Sequence, residues 1–592
     1  MSSWHRLASF VPGALNRYRP SETAILTGAA LAVGLGAGVG AVVFRWLINS
    51  VTHVSFSWLP EAFPGVGRAN LILAPAAGGL LVGWLVYRYA REARGHGVPE
   101  VMEAVARRGG RIRPIVAVIK SLASALCIGS GGSVGREGPI VQIGSTLGSA
   151  AGQVLRLSDD QIRTLVGCGA AGGIAATFNA PIAGMFFALE VILGEYSVHN
   201  FGLVALASVT ASVVGRIAFG DVPAFTVPNY AIQSLWEFPM YAGLGILAAA
   251  VAVVYTRLIY WAEDQFGRWK RMPEWLRPAV GGASLGVLAF FYGSAPGLGY
   301  DRIPHIFGVG YQTIETSLLG QLAIGTTLAL MGLKIIATAL TLGSGGSGGV
   351  FSPALFIGSM LGGAYGLALN GLFPGMIALA GPYAMVSMAA VFAAASHAPV
   401  TAIVILFEMT GDYRLMLPLM MTVAISTLLA HHWLAGESIY TLKLSRRGVR
   451  LFAGRVDLQR VRVEEVMTRR MHTVRADMAV EELAEQVRRT QHHGFVVLDG
   501  DRRLFGIVTI QDLNRALEAD GAAPDTRVRD IATTNVVVAH PGETAATAVQ
   551  RLSMRDVGRL PVVSREDPTR LLGVVRRSDV IQAYKIALTR RR

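Results

Sequence analysis

Cysteine is nearly absent: Cys127 and Cys168 are the two among 592 residues, and both lie in apolar surroundings that suit packing better than a disulfide or a metal site. Charged side chains are scarce too, 16% against 52% hydrophobic, which excludes an ordinary soluble protein of this length. The stretch MSSWHRLASFVPGALNRYRPSE has no short apolar core followed by a small-residue cleavage site, so no removed signal peptide is expected. The glycine-rich loop around Gly135 lacks the G-K-[ST] ending of a phosphate-binding P-loop, since Arg136 and Glu137 follow, and a nucleotide-hydrolysing reading is poor.

What the chain has instead is a series of apolar runs near the length of roughly 20 residues that crosses a bilayer. They are Ala24 to Ile48, Leu71 to Val86, Ala242 to Tyr255, Leu322 to Leu342 and Met385 to Phe407, several of them short or interrupted by Gly and Pro. Broken helices at membrane depth are tolerated where backbone lines a cavity or is buried in protein, which points to a transport pathway. The formal charge of +14 does not imply nucleic acid, because the basic residues sit outside these runs. Arg6, Arg17 and Arg19 precede the first run, and Arg88, Arg91, Arg94, Arg107, Arg108, Arg111 and Arg113 crowd one connecting segment, as expected of cytoplasmic flanks. The expectation is a multi-pass protein of the cell (inner) membrane with both termini cytoplasmic and the lipid bilayer as its surroundings.

The chain is internally duplicated. Gly129 to Ser145 reads GSGGSVGREGPIVQIGS, and Gly343 to Ser359, 214 positions later, reads GSGGSGGVFSPALFIGS. Phe178 to Glu190, FNAPIAGMFFALE, is echoed 218 positions later by Ser396 to Glu408, SHAPVTAIVILFE. Pro at a first helical turn forfeits no hydrogen bond, so Pro181 and Pro399 mark helix starts. Two repeats that each supply a discontinuous helix to a midplane site are an arrangement transporters use. Glu190 and Glu408, each ending an apolar helix, read as local caps or pairs, and His397 reads as structural. From about Val461 short β-like runs alternate with charged helices, and this region is duplicated as well: Gly506 and Asp512 recur as Gly573 and Asp579.

The chemistry of the two glycine loops follows from the medium. A fixed Lys or Arg is costly to bury and would hold an inorganic anion too tightly, whereas helix N-termini offer unpaired N–H groups and a partial positive charge, and glycine lets backbone approach closely. Positions 136 to 138 of the first copy are Arg136, Glu137 and Gly138, facing Val350, Phe351 and Ser352 of the second, so the ionisable side chains belong to one copy alone. The Glu137 carboxylate carries the charge of a monovalent anion and can act as a tethered competitor that protonation releases. The plainer reading is a cap for the helix at Pro139.

These residues carry a resemblance: the chain resembles the CLC family of chloride channels and chloride/proton antiporters, prokaryotic type with a C-terminal CBS pair. Gly135-Arg136-Glu137-Gly138-Pro139 is similar to the family's GREGP signature, which implies Glu137 as external gating glutamate and Gly135 and Arg136 in the anion site. Gly349 to Pro353 resembles the GxFxP signature, implying that the amides of Val350 and Phe351 bind the central chloride. Tyr440, in SIYTLKL, resembles the tyrosine that closes the pore from the cytoplasmic side. Two positions depart. Gly95-His96-Gly97-Val98-Pro99 resembles GSGIP, with His96 where the family's serine binds the anion; a neutral imidazole donates one N–H, a protonated one adds charge, and the alternative is that His96 turns away and leaves the ion to backbone amides. Val191 stands where proton-coupled members carry an internal acid, and an aliphatic side chain relays no protons.

The resemblance implies an all-α polytopic membrane protein with two inverted-topology repeats plus a C-terminal α/β CBS-pair domain. The divisions are a basic N-terminus (1–20), a transport domain (21–450, with repeats at about 21–220 and 235–445) and CBS units at 461–520 and 527–587. It implies a homodimer that transports chloride or a similar small monovalent anion and needs no cofactor. Val191 makes the expectation a gated chloride channel with Glu137 as protonatable gate; a chloride/proton antiporter is the alternative. In the CBS pair Thr509 and Asp512 match a ribose-binding pattern and Asp579 is kept, but Arg576 takes the second Thr position, so an adenine nucleotide and a purely structural module stay open. A nucleotide-regulated cation transporter is a distant rival, because a divalent-cation path gathers carboxylates where these loops gather amides. An intramembrane enzyme would need a base beside Ser130 or Ser344, and neither His96 nor His397 can be assigned that place.

Overall fold

The computed structural model describes residues 21–196, 198–221, 225, 234–294, 298–300, 303–374, 379–449, 458, 461–469, 471–490, 492–518, 525–554 and 558–589; Arg6, Arg17 and Arg19 lie outside them. The chain forms two compact units, Met1–Leu451 and Phe452–Arg592. Among the described residues of the first, seven helical stretches are long and apolar enough to cross a membrane.

The helices of the first unit fall into two series. The first comprises α1 (Glu22–His53), α2 (Asn70–Tyr89), α3 (Val98–Arg107), α4 (Ile115–Gly129), α5 (Glu137–Val154), α6 (Asp159–Phe178), α7 (Pro181–Phe187) and α8 (Val198–Phe219). The second comprises α9 (Glu237–Arg268), α10 (Arg277–Tyr292), α11 (Tyr311–Leu318), α12 (Ile324–Gly343), α13 (Phe351–Leu372), α14 (Ala380–Ser396), α15 (Pro399–Thr410) and α16 (Met416–Trp433), and a short α17 (Thr441–Arg446) follows. The series match member for member: α1 and α9 are each 32 residues long, and α4 and α12 both end where a glycine loop begins. The apolar run Met385 to Phe407 is therefore two helices. They are split at His397, which takes φ 56°, as its counterpart Asn179 takes φ 57° at the end of α6.

The halves meet at their glycine loops. Gly135 N–H donates to Gly349 O (2.8 Å) and Gly349 N–H to Gly135 O (2.6 Å), an antiparallel exchange between equivalent positions. Such an exchange is what a local two-fold axis produces, and it accords with inverted-topology repeats. The two terminal glutamates also tie the halves together, across the repeats rather than locally. Glu408, near the end of α15, accepts N–H bonds from Ile182 (3.0 Å) and Ala183 (2.7 Å) in the first turn of α7. Glu190, after α7, accepts from Val400 N (3.3 Å), Thr401 N (2.8 Å) and Thr401 Oγ1 (2.6 Å) in the first turn of α15. Each Pro-led helix leaves orphan amides beyond its proline, and the other repeat supplies the carboxylate.

In the second unit, β1 (Thr473–Arg475), α18 (Val480–Thr490), β2 (Gly494–Leu498), β3 (Leu504–Thr509) and α19 (Ile510–Glu518) are followed by α20 (Ala545–Met554), β4 (Arg559–Val563), β5 (Leu571–Arg576) and α21 (Arg577–Thr589). β1 pairs with β2 in parallel, while β2–β3 and β4–β5 are antiparallel hairpins. Gly506 faces Val497 and Gly573 faces Val562, which makes the two hairpins copies of one another.

The reciprocal caps give a stability prediction. Glu190→Ala leaves three donors without their acceptor and should lower the thermal unfolding midpoint of the detergent-purified protein, at a cost of about 2 kcal/mol, with Glu190→Gln losing roughly half of that. An unchanged midpoint in Glu190→Ala would show that the cap contributes nothing.

Candidate functional site

Glu137 opens α5 and is 1% exposed, yet its carboxylate lies across the N-terminus of α13, in the other repeat. Ser352 N–H donates to Oε2 (3.4 Å), the Ser352 hydroxyl donates to Oε1, and the Tyr311 hydroxyl donates to Oε1 as well (3.2 Å). The group lying on this helix N-terminus is thus a side chain of the other repeat. Capping of its own helix is not what the carboxylate does.

Close approach of the loops is what allows this. A methyl group on Gly138 would collide with the His96 carbonyl oxygen, and one on Gly135 would collide with the Glu137 carboxylate. Val350 is the N-cap of α13, with its carbonyl accepting from Tyr255 OH (3.0 Å), and the Phe351 ring is buried between Phe178 (5.1 Å) and Phe392 (4.3 Å). Arg136 directs its guanidinium elsewhere, to the Thr177 carbonyl (3.3 Å) and over the Tyr311 ring (5.2 Å), so its side chain stands beside the acid and not in front of it.

His96 and Tyr440 come together. Their rings are 6.0 Å apart, both are buried, and the His96 Nε2 is 3.5 Å from the Tyr260 hydroxyl, which donates to Ile439 O (2.6 Å). The other imidazole nitrogen, Nδ1, is buried with no hydrogen-bond partner. Tyr440 and Tyr255 both lie within electrostatic reach of Glu137. Four separate stretches, around residues 96, 137, 350 and 440, therefore converge. Val191 is buried in the turn after α7, next to the capping Glu190. Ser130 and Ser344 donate to the carbonyls of Cys127 (3.3 Å) and Thr341 (3.1 Å).

Sequence reasoning missed a second pair of loops. Gly308-Val309-Gly310-Tyr311 repeats Gly95-His96-Gly97-Val98 at a spacing of 213, and all four glycines take positive φ, between 54° and 84°. Behind each loop stands a fully buried lysine: Lys120 donates to Ala93 O (3.0 Å) and Gly95 O (2.7 Å), and Lys334 to Ile306 O (3.0 Å) and Gly308 O (2.8 Å). In a trans peptide C=O and N–H point opposite ways, so fixing these carbonyls on the lysines turns the following N–H groups away from them. The repeated Gly-x-Gly spacing was the available signal. Nothing in the sequence pattern linked Tyr311 to Glu137.

In the second unit Asp512 accepts from its own helix start, Thr509 N (3.0 Å) and Thr509 Oγ1 (2.7 Å). Asp579 is buried and accepts from Arg576 N (2.9 Å), the Arg576 guanidinium and Thr468 Oγ1 (3.3 Å).

A duplicated helical membrane unit with two helix N-termini and a buried acid at their meeting point defines a class, the polytopic membrane proteins with an ion site between internal repeats. The sequence profile of the voltage gated chloride channel matches residues 78–431, and that of the CBS domain matches residues 463–519 and 528–586. The chain is similar to a ClcB-like protein of Ralstonia nicotianae, named as a chloride channel protein (36% identical over 425 residues, 70% of this chain and 95% of that one). It is similar to the H(+)/Cl(-) exchange transporter ClcA of Vibrio parahaemolyticus (32% over 429 residues, 70% and 88%). Among solved structures it resembles a slow cyanobacterial Cl-/H+ antiporter, at TM-score 0.63 and 25% identity over 72% of this chain and 98% of that one. The chain belongs to the voltage gated chloride channel (CLC) family and carries two CBS domains.

Removing the tethered carboxylate tests whether it and a free anion share one place. Glu137→Ala should bind chloride or bromide several-fold more tightly than wild type in isothermal titration, in line with the loss of a competitor at a helix N-terminus. Equal affinities would mean that anion and carboxylate use different sites.

Proposed function

We propose that this protein moves chloride or a similar monovalent anion across the membrane in exchange for protons, with Glu137 alternating between filling the anion site and carrying a proton. The observation behind the reading is the buried Glu137 carboxylate on the N-terminus of α13, held by donors that suit a negative charge. Ionised, the carboxylate satisfies those donors and keeps the site filled. Protonated, it loses the charge that the helix N-terminus favours, and an anion takes its place on the amides of Val350 and Phe351. His96 contributes its imidazole N–H from the side shared with Tyr440, and its unpartnered Nδ1 supports a ligand there. Arg136 contributes backbone rather than the guanidinium, and Gly135, whose N–H is spent on Gly349 O, contributes the close approach of the loops. Tyr440 restricts passage on the His96 side.

This reading departs from the gated channel that Val191 led us to expect. The names of the ClcA relatives and of the cyanobacterial antiporter favour exchange, and the passive channel is kept as a second reading on one observation, the aliphatic Val191. Water reaching Glu137 past Val191 would complete the proton path in the exchanger. The same proposal has the protein as a homodimer in the cell (inner) membrane with cytoplasmic termini.

A reversal-potential measurement in bilayers under combined chloride and pH gradients separates the two. The expected result is a potential that shifts with the pH gradient, with Glu137→Gln abolishing the shift while anion flux persists. A potential fixed at the chloride equilibrium value at every pH establishes the channel instead.

For the CBS pair, we assign the candidate adenine-nucleotide contact to Thr509 and Asp512 rather than Asp579, because Arg576 and Thr468 engage both Asp579 oxygens, whereas the Thr509 bonds to Asp512 both fall on Oδ2. Titration of the full-length protein with ATP should give a binding isotherm that Asp512→Ala abolishes and Asp579→Asn leaves in place. Absence of binding in the wild type would leave the module a structural one.

A further inference from the structure

Tyr311 is placed with more rigidity than a loop residue needs. It opens α11 directly after a loop in which the buried Lys334 pins the carbonyls of Ile306 and Gly308, so the backbone leading to the phenol is fixed from behind. Its ring is held between the Arg136 guanidinium (5.2 Å) and the edge of Phe225 (5.4 Å). The hydroxyl then meets two oxygens, Glu137 Oε1 at 3.2 Å and Ser352 Oγ at 3.3 Å. In the other repeat the equivalent position is Val98, which has no hydroxyl. The phenol and the acid therefore come from opposite repeats and meet on one side of an otherwise duplicated site.

Resting on the reading of Glu137 as the protonatable occupant, we propose that Tyr311 is the positioning residue that latches its ionised carboxylate in the anion site. The phenol has one proton to donate. It goes to Oε1 while Glu137 is a carboxylate. Once Glu137 is protonated its oxygens accept only the weaker neutral hydrogen bond and its own proton becomes a donor, so the phenol proton is free to turn to Ser352 Oγ and the hold on the acid weakens. The latch favours the charged form, which ties release of the acid to proton uptake. Among the described residues the other titratable or charged groups near this cluster are Arg136, Arg45 on α1, Lys334 behind the loop on α12, Tyr255 on α9, and Tyr440. All of them remain when only the hydroxyl is removed.

The test is chloride flux against external pH in proteoliposomes for wild type, Tyr311→Phe, Glu137→Gln and the double variant. Phe keeps the ring contacts with Arg136 and Phe225, so the change is confined to the hydroxyl. A donor lost from the ionised form makes that form less favoured, so acid activates flux sooner: the Tyr311→Phe midpoint should move up by about one pH unit, the size given by a hydrogen bond to a charged group. In the Glu137→Gln background Tyr311→Phe should change nothing in a flat profile. Lower flux at an unmoved midpoint would reduce Tyr311 to a structural role and overturn the proposal. A Glu137→Gln profile that still rises with acid removes the reading of Glu137 and the proposal together, whereas a flat one with an unmoved Tyr311→Phe midpoint removes the proposal alone.

Discussion

The pairing of two glycine loops through Gly135 and Gly349 is the constraint on which the rest of the membrane unit depends. The two backbones exchange both N–H bonds, at 2.8 and 2.6 Å, and the absence of side chains is what leaves room beside them, since a Cβ on Gly349 would lie 2.7 Å from Gly138 N. Once they do, the first turns of α5 and α13 start from one point, and Glu137 at the start of one helix reaches Ser352 at the start of the other. The reciprocal caps by Glu190 and Glu408 make the same use of symmetry farther out. In each case the orphan amides of one repeat are satisfied by a carboxylate of its twin.

Buried charge is handled by distance. A cation facing the anion would hold it too tightly, and among the described residues around the site the lysines do not face it. Lys120 and Lys334 sit one layer back, each bonded to two backbone carbonyls, so they act through oriented peptides instead of by direct contact. Arg136 follows a similar logic sideways, with its guanidinium on Thr177 and the Tyr311 ring. The lone acid is thereby left on the N-terminus of α13 with no cationic side chain in front of it.

Function arises where the symmetry fails. Glu137 has no acid opposite it, Tyr311 stands against Val98, and His96 against Val309. One side of the site therefore pairs a carboxylate with a phenol, and the other pairs an imidazole with Tyr440. In a fully symmetric site the two faces would be alike; the substituted one presents different chemistry on each.

Much of this is legible in the sequence. Composition set the membrane class, the spacings of 214 and 218 exposed the repeats, and GREGP, GVFSP, GHGVP and Tyr440 marked the stretches that converge. These signals are local: a glycine needed for close approach, a proline at a helix start or an acid in an apolar run leaves its mark at its own position. Three features were decided by tertiary structure alone: the cross-repeat destinations of Glu190 and Glu408, the lysines behind the loops, and the hydroxyl of Tyr311 on Glu137, 174 positions away. A hydrogen bond between residues so far apart leaves no periodicity or spacing in a single chain, because its partners are chosen by the pseudo-two-fold packing of the two halves and not by either segment's own sequence.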